Sequence, residues 1–187
     1  MARWITVGLL ILMFSTVVAG GYSAPRPSPF PLAEGNRWTL DGIDTNVTRI
    51  MSVRKQGQNL VLHGLPGAGP LRVRSSGTTI QVWDTGNRRW EGLFRFGERA
   101  GESYLVRLGD TLLWRNVVVT VASKSARVTD DRGRTRRGTR FTFAAKAPIA
   151  DAGLESMTFV PRLGPVEIVE LTIAGPRELA LASHRLR

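Results

Sequence analysis

Six arginines fall between positions 127 and 140, namely Arg127, Arg132, Arg134, Arg136, Arg137 and Arg140, against two carboxylates, Asp130 and Asp131. A guanidinium is a planar fork that grips carboxylate, sulfate or phosphate through paired hydrogen bonds. A projecting turn of this composition therefore makes Arg132, Arg134, Arg136, Arg137 and Arg140 candidate anion contacts. The competing reading is a solvated turn whose charges keep strand edges from pairing with other chains, with Asp130 and Asp131 as local compensation. No aromatic residue stands among these arginines, so the stacking platform that nucleic-acid binding needs is missing there, and nucleic acid is not expected as a partner.

Other candidate chemistry dissolves on inspection. Gly64-Leu65-Pro66-Gly67-Ala68-Gly69 has the glycine spacing of a phosphate-binding loop, but Pro70 and Leu71 follow where Lys and Ser or Thr are required. Ser52-Val53-Arg54-Lys55 matches a Ser-x-x-Lys nucleophile on paper, yet Ser-Asp-Asn and Lys-Thr-Gly occur nowhere in the chain. Histidine is limited to His63 and His184, too few for a histidine-rich zinc site, and each reads as a strand-end residue. No cofactor or metal is expected, and the chain does not read as an enzyme. Trp38, Trp83, Trp90 and Trp114 could line a cavity for a small apolar or anionic ligand in a barrel mouth. They serve equally as core anchors.

The elements that must position these residues are short strands. Runs of Val, Ile, Leu, Thr and aromatics are separated by Gly, Asn, Asp or Pro, with no useful helical period. Strands are expected at 37–40, 46–53, 59–65, 71–75, 78–84, 90–96, 103–108, 112–122, 126–129, 135–145, 156–160, 166–173 and 179–184. Alternation is clear in places: Trp90, Phe94 and Phe96 are expected on one face, and Val117, Val119 and Val121 on one face. Gln56-Gly57-Gln58, Ser75-Ser76-Gly77, Thr85-Gly86-Asn87, Asp131-Arg132-Gly133 and Ala174-Gly175-Pro176 read as turns. Connections this short allow only antiparallel neighbours. Ten or more such strands exceed one comfortable open sheet, so the expected class is an all-β antiparallel meander forming a barrel, with a β-sandwich as the alternative.

Around this domain, residues 1–24 read as a signal peptide or N-terminal anchor: Arg3, an apolar run from Ile5 to Ala19, then small residues through Ala24. Cleavage is expected after Ala19, Ser23 or Ala24. If uncleaved, residues 4–22 would be the membrane contact. Residues 25–34 read as a Pro-rich linker and 35–187 as one β domain. Cysteine is absent, which excludes disulfides, thiolate metal sites and an N-terminal lipid on cysteine. The expected location is periplasmic or extracellular, released or tethered to the inner membrane.

The formal charge is +11, from 23 Arg and 3 Lys against 15 acids. Such a balance fits anionic partners, including lipid and acidic glycans. A bias to Arg, Ala, Gly and Pro also arises from GC-rich coding without any partner.

Two segments carry a resemblance. Phe30-Pro31-Leu32-Ala33-Glu34-Gly35-Asn36-Arg37-Trp38 resembles the FPL-x-x-GN-x-W start of a loose group of exported bacterial β-rich proteins. Met157-Thr158-Phe159-Val160-Pro161-Arg162-Leu163-Gly164-Pro165-Val166 resembles that group's F-A-P-G-V-G-x-V end, with Arg162 and Leu163 where Gly-Val is usual at a tight turn. Some members are similar to a β module placed before a domain like the intracellular proteinase inhibitor (BsuPI-like) family. The resemblance implies export and protein partners and transfers no catalytic residue. The combined expectation is an exported non-enzymatic β domain that binds a protein or envelope component. Its alternatives are a barrel for a small apolar or anionic ligand and a module associated with a proteinase inhibitor.

Overall fold

A computed structural model describes residues 29–108, 114–145 and 152–187. The segment read as signal or anchor, 1–24, lies outside the described residues. Twelve strands form among the described residues: β1 (Arg37–Gly42), β2 (Thr48–Gln56), β3 (Asn59–His63), β4 (Leu71–Ser76), β5 (Thr79–Asp84), β6 (Arg89–Arg95), β7 (Ser103–Val106), β8 (Val117–Thr129), β9 (Thr135–Ala145), β10 (Ala152–Val160), β11 (Gly164–Thr172) and β12 (Gly175–Arg185). All pairs are antiparallel in a single sheet ordered β6-β5-β4-β3-β2-β1-β12-β11-β10-β9-β8-β7. The first and last strands thus meet at the centre of the sheet, while its edges, β6 and β7, are consecutive in the chain. The sheet curls until these edges approach, giving the nearly closed barrel expected from so many short-linked strands rather than the sandwich.

Phenol chemistry seals the gap between the edges. The Tyr104 hydroxyl on β7 accepts from the Arg95 N–H at 3.0 Å and donates to the Leu93 carbonyl at 3.0 Å, both on β6. Burial pushes the Tyr104 phenol above its ordinary value, so it stays neutral and able to donate. Lys124 of β8 adds a second tie by donating to the Phe96 carbonyl.

Inward-facing alternate positions fill the barrel. Phe94 packs with its ring tilted against Phe159 at 4.6 Å and Phe141 at 5.6 Å, so β6 touches β10 and β9 through the centre. Phe30, in the stretch read as linker, is fully buried between Trp38 at 5.1 Å and Phe159 at 5.4 Å. Folded structure therefore begins at least as early as Phe30.

The two segments that carry the resemblance pack on each other. Trp38 Nε1 donates to the Leu163 carbonyl at 2.6 Å, and the indole lies against Gly164, where a Cβ would stand 2.6 Å from Nε1. Gly164 also has φ +100°, a conformation other residues rarely adopt. The tight β10–β11 turn forms with Arg162 itself at φ 66°, a left-handed placement that costs roughly 1 kcal/mol. At the opening of the chain, Asn36 is fully buried, donates to the Pro31 carbonyl and accepts from the Arg187 N–H.

Each of the five expected turns overlaps a connection between consecutive strands, although Ser75 and Ser76 end β4 and Gly175 and Pro176 open β12, and three expectations need correction. Of the strand expected at 112–122, residues 112 and 113 lie outside the described residues; the part from Val117 runs on through the separate strand expected at 126–129 as one strand, β8, whose register slips between Val121 and Ser123 and between Ser123 and Ala126. Bulges bend it where the sequence reads as a break. Trp114 stands before β8 rather than within it. Trp90 does not share a face with Phe94 and Phe96: Ile80 pairs with Phe94 and Gln81 with Gly92, so Leu93 is an extra residue that inverts the alternation.

Gly164→Ala should destabilise the protein by roughly 1–3 kcal/mol through overpacking against Trp38, read as a lowered urea midpoint by tryptophan emission. Tyr104→Phe leaves a carbonyl and an N–H at the seam without their partner and should cost about 1–3 kcal/mol. A Tyr104→Phe midpoint unchanged from the parent would show that the phenol does not close the barrel.

Candidate functional site

The arginine-rich turn joins β8 to β9, and most of it is spoken for. The Asp130 carboxylate accepts from the backbone N–H of Arg132 at 3.0 Å and of Arg134 at 2.9 Å, and from the side chains of Arg134 at 3.2 Å and Arg136 at 2.8 Å. Arg140 donates to Glu167 at 2.6 Å and to Thr158 at 3.1 Å. Arg132 and Arg137 are exposed, with Arg137 directly opposite Arg127. Three of the five candidate arginines thus hold the turn and the sheet together. The compensation expected of the acidic pair is real and goes further than a local effect, because Asp131 reaches His184 Nδ1 at 2.7 Å, joining the turn to β12.

The four tryptophans divide in two. Trp38 and Trp114 are buried and satisfied, Trp114 Nε1 donating to the Pro66 carbonyl at 3.0 Å. Trp83 and Trp90 pair edge-to-face at 5.6 Å on the outer surface. They do not surround a common cavity, because the interior is occupied by phenylalanine.

The cleft with the most chemistry lies outside the barrel, at the join of β12 and β1. Because Trp38, Leu40, Met51 and Val53 point inward, Arg37, Ser52 and Arg54 must point outward. Register then sets Arg185, Arg37, Ser52 and His63 side by side across β12, β1, β2 and β3. A cleft of about 440 Å³ is walled by Arg37, Arg54, Arg185, His63 and Ser52 with Asn36 beneath. A neighbouring one of about 260 Å³ shares Arg37 and Arg185 and adds His184, Ser183 and Thr39. Among the described residues no carboxylate side chain lines either cleft. Among the described residues, Arg37, Arg54 and Arg185 form no ion pair within 4.0 Å.

Directly opposed like charges on paired strands repel, and among the described residues lining the cleft no acid offsets the Arg37–Arg185 pair. Sequence reading missed this site. Its local signal was an arginine at the outward phase of a strand, repeated in β1, β2 and β12, but their adjacency depends on pairing the first strand with the last. Among the described residues no cluster of three or more His, Asp or Glu side chains could hold a metal ion.

Hydrogen bonds, chiefly from Arg136, hold the Asp130 carboxyl well below its ordinary value of 3.8. A carboxylate depressed by folding contributes stability that is complete above its unfolded value and fades as pH falls through the folded one. Melting temperature should therefore hold from neutral pH to about pH 4 and drop in stronger acid, and Asp130→Asn should shrink that acid-limb drop. An unchanged acid limb in Asp130→Asn would show that the turn does not depend on this charge.

No protein-family model matches the chain, and no curated protein does. Two crystal structures are similar at 9% identity: a candidate lipoprotein from Parabacteroides distasonis, covering 85% of this chain and 99% of its own with a TM-score of 0.42, and a candidate exported protein with a YmcC-like fold from Bacteroides fragilis, covering 84% and 98% with a TM-score of 0.41.

Proposed function

We propose that this protein is an exported, non-enzymatic binding domain that takes an anionic component of the cell envelope on the outer face of its barrel. The observation that carries the reading is the opposed pair Arg37 and Arg185, flanked by Arg54 and His63, with no carboxylate side chain among the described residues that line its cleft. Two guanidinium forks on adjacent strands match the two oxygens of a carboxylate, or the several of a phosphate or sulfate. Export rests on the N-terminal order of Arg3, apolar run and small residues. The filled interior supports binding on the surface over a ligand carried inside.

Titrating the protein with inorganic phosphate and with galacturonate, while following arginine side-chain NMR signals, should move Arg37 and Arg185 first. Arg37→Gln should weaken binding by roughly tenfold, about 1.4 kcal/mol, and added salt should weaken the parent. Shifts confined to Arg132 and Arg137 would return the site to the hairpin, and no shift at all would remove the reading.

A second reading, a protein partner, is favoured by three exposed apolar residues at one end of the sheet. Ile43 is 57% exposed, Leu171 44% and Ile173 86%, and the Ile43 N–H donates to the Glu178 carbonyl, which ties the β1–β2 loop to β12.

A further inference from the structure

The row of outward guanidinium groups does not stop at the Arg37–Arg185 cleft. Arg54 lies opposite Val61, and Val61 lies opposite Arg72, so the basic line continues over β3 to β4. There the side chains are held in place. The Arg72 guanidinium sits 5.3 Å from the Trp83 ring centre and 5.2 Å from that of Trp90. That of Arg74 lies 4.2 Å over Trp90, and its Nε donates to Gln81 at 2.7 Å. Cation–π contact with a paired aromatic support limits the motion of both forks while leaving them exposed. A cleft of about 450 Å³ opens beside Arg72 and Trp83.

We infer that the ligand is a linear polyanion of the acidic polysaccharide class, laid across the strands from Arg185 and Arg37 past Arg54 to Arg72 and Arg74. This rests on the anion-binding reading of the cleft and adds the ligand's length and class. Four strand intervals separate β12 from β4, and at 4.7–4.9 Å each they span roughly 19 Å, with Arg74 roughly 7 Å further along β4. A single phosphate or carboxylate fills one end of such a line and leaves the rest empty. A chain with repeated carboxylate or sulfate groups fills it. The acids nearest this line are already engaged: Asp41 accepts from Thr48, and Asp84, which lines the cleft beside Arg72, accepts from the Gly86 N–H and from Asn87. Single-stranded nucleic acid is the less fitting polyanion, because bases bind by stacking on open ring faces and the Trp90 face is capped by Arg74.

The test measures affinity of the full exported chain for galacturonate oligomers of one to ten units, for inorganic phosphate and for a thymidine decanucleotide, by calorimetry at fixed ionic strength. Affinity should climb at least tenfold from monomer to long oligomer. The double variant Arg72→Gln/Arg74→Gln should lose most of that climb while the loss for the monomer stays within twofold, and Arg37→Gln/Arg185→Gln should lose both. Far-ultraviolet circular dichroism and melting temperature check that each variant is folded. Equal affinity for monomer and oligomer would overturn the polymer inference and leave the local anion site standing. Tighter binding of the decanucleotide than of any oligomer would overturn the ligand class. Failure of phosphate and all the uronates to bind would remove the underlying reading with it.

Discussion

Everything in this fold depends on the contact between Trp38 and the β10–β11 turn. The indole of the first strand donates to Leu163 and lies against Gly164, a position where a Cβ would collide with the ring. That contact fixes the start of the chain against its last third, and β12 then pairs with β1 at the centre of the sheet. Asn36 and Phe30 reinforce the same clasp, one by bridging Pro31 to Arg187 and the other by filling the space behind the indole. Such long-range closure carries a chain-entropy cost that local hairpins avoid. The hydrogen bonds of Trp38 and Asn36 and the burial of Phe30 offset that cost at this one place.

With the first and last strands joined, the free edges of the sheet fall mid-chain, at β6 and β7. An open pair of edges would expose unpaired N–H and carbonyl groups to other strands. Tyr104 and Lys124 answer that exposure with side-chain hydrogen bonds in place of a ladder. The phenylalanines gathered behind the seam fill the centre of the barrel.

On that wall the arginines sort into two kinds. Some serve the fold: Arg49 and Arg177 both meet the buried Glu170 at 2.5 Å, Arg140 meets Glu167, and Arg134 and Arg136 meet Asp130. Others, Arg37, Arg54 and Arg185, face outward on paired strands with no acid in their cleft. A desolvated carboxylate with two guanidinium partners is a structural device whose removal leaves buried charge behind. An exposed guanidinium row is costly only through mutual repulsion, which a bound anion relieves. The high positive charge of the chain is therefore not one property but two, divided by whether an acid partners each arginine.

The sequence by itself determined the strand content, the positions of the turns and the antiparallel class, because alternation and turn chemistry act over a few residues. It also marked Phe30–Trp38 and the 157–166 segment as distinctive, without showing that they touch. Tertiary structure decided what local pattern cannot encode: that Leu93 bulges and turns Trp90 outward, that β8 bends instead of breaking, and that the arginines of the β8–β9 turn are largely consumed by Asp130 and Glu167. Above all it decided that Arg37 stands beside Arg185, 148 positions away in the chain. The phase of each strand is a local matter of which side chains are apolar, whereas the neighbour of each strand is set by closure of the whole sheet.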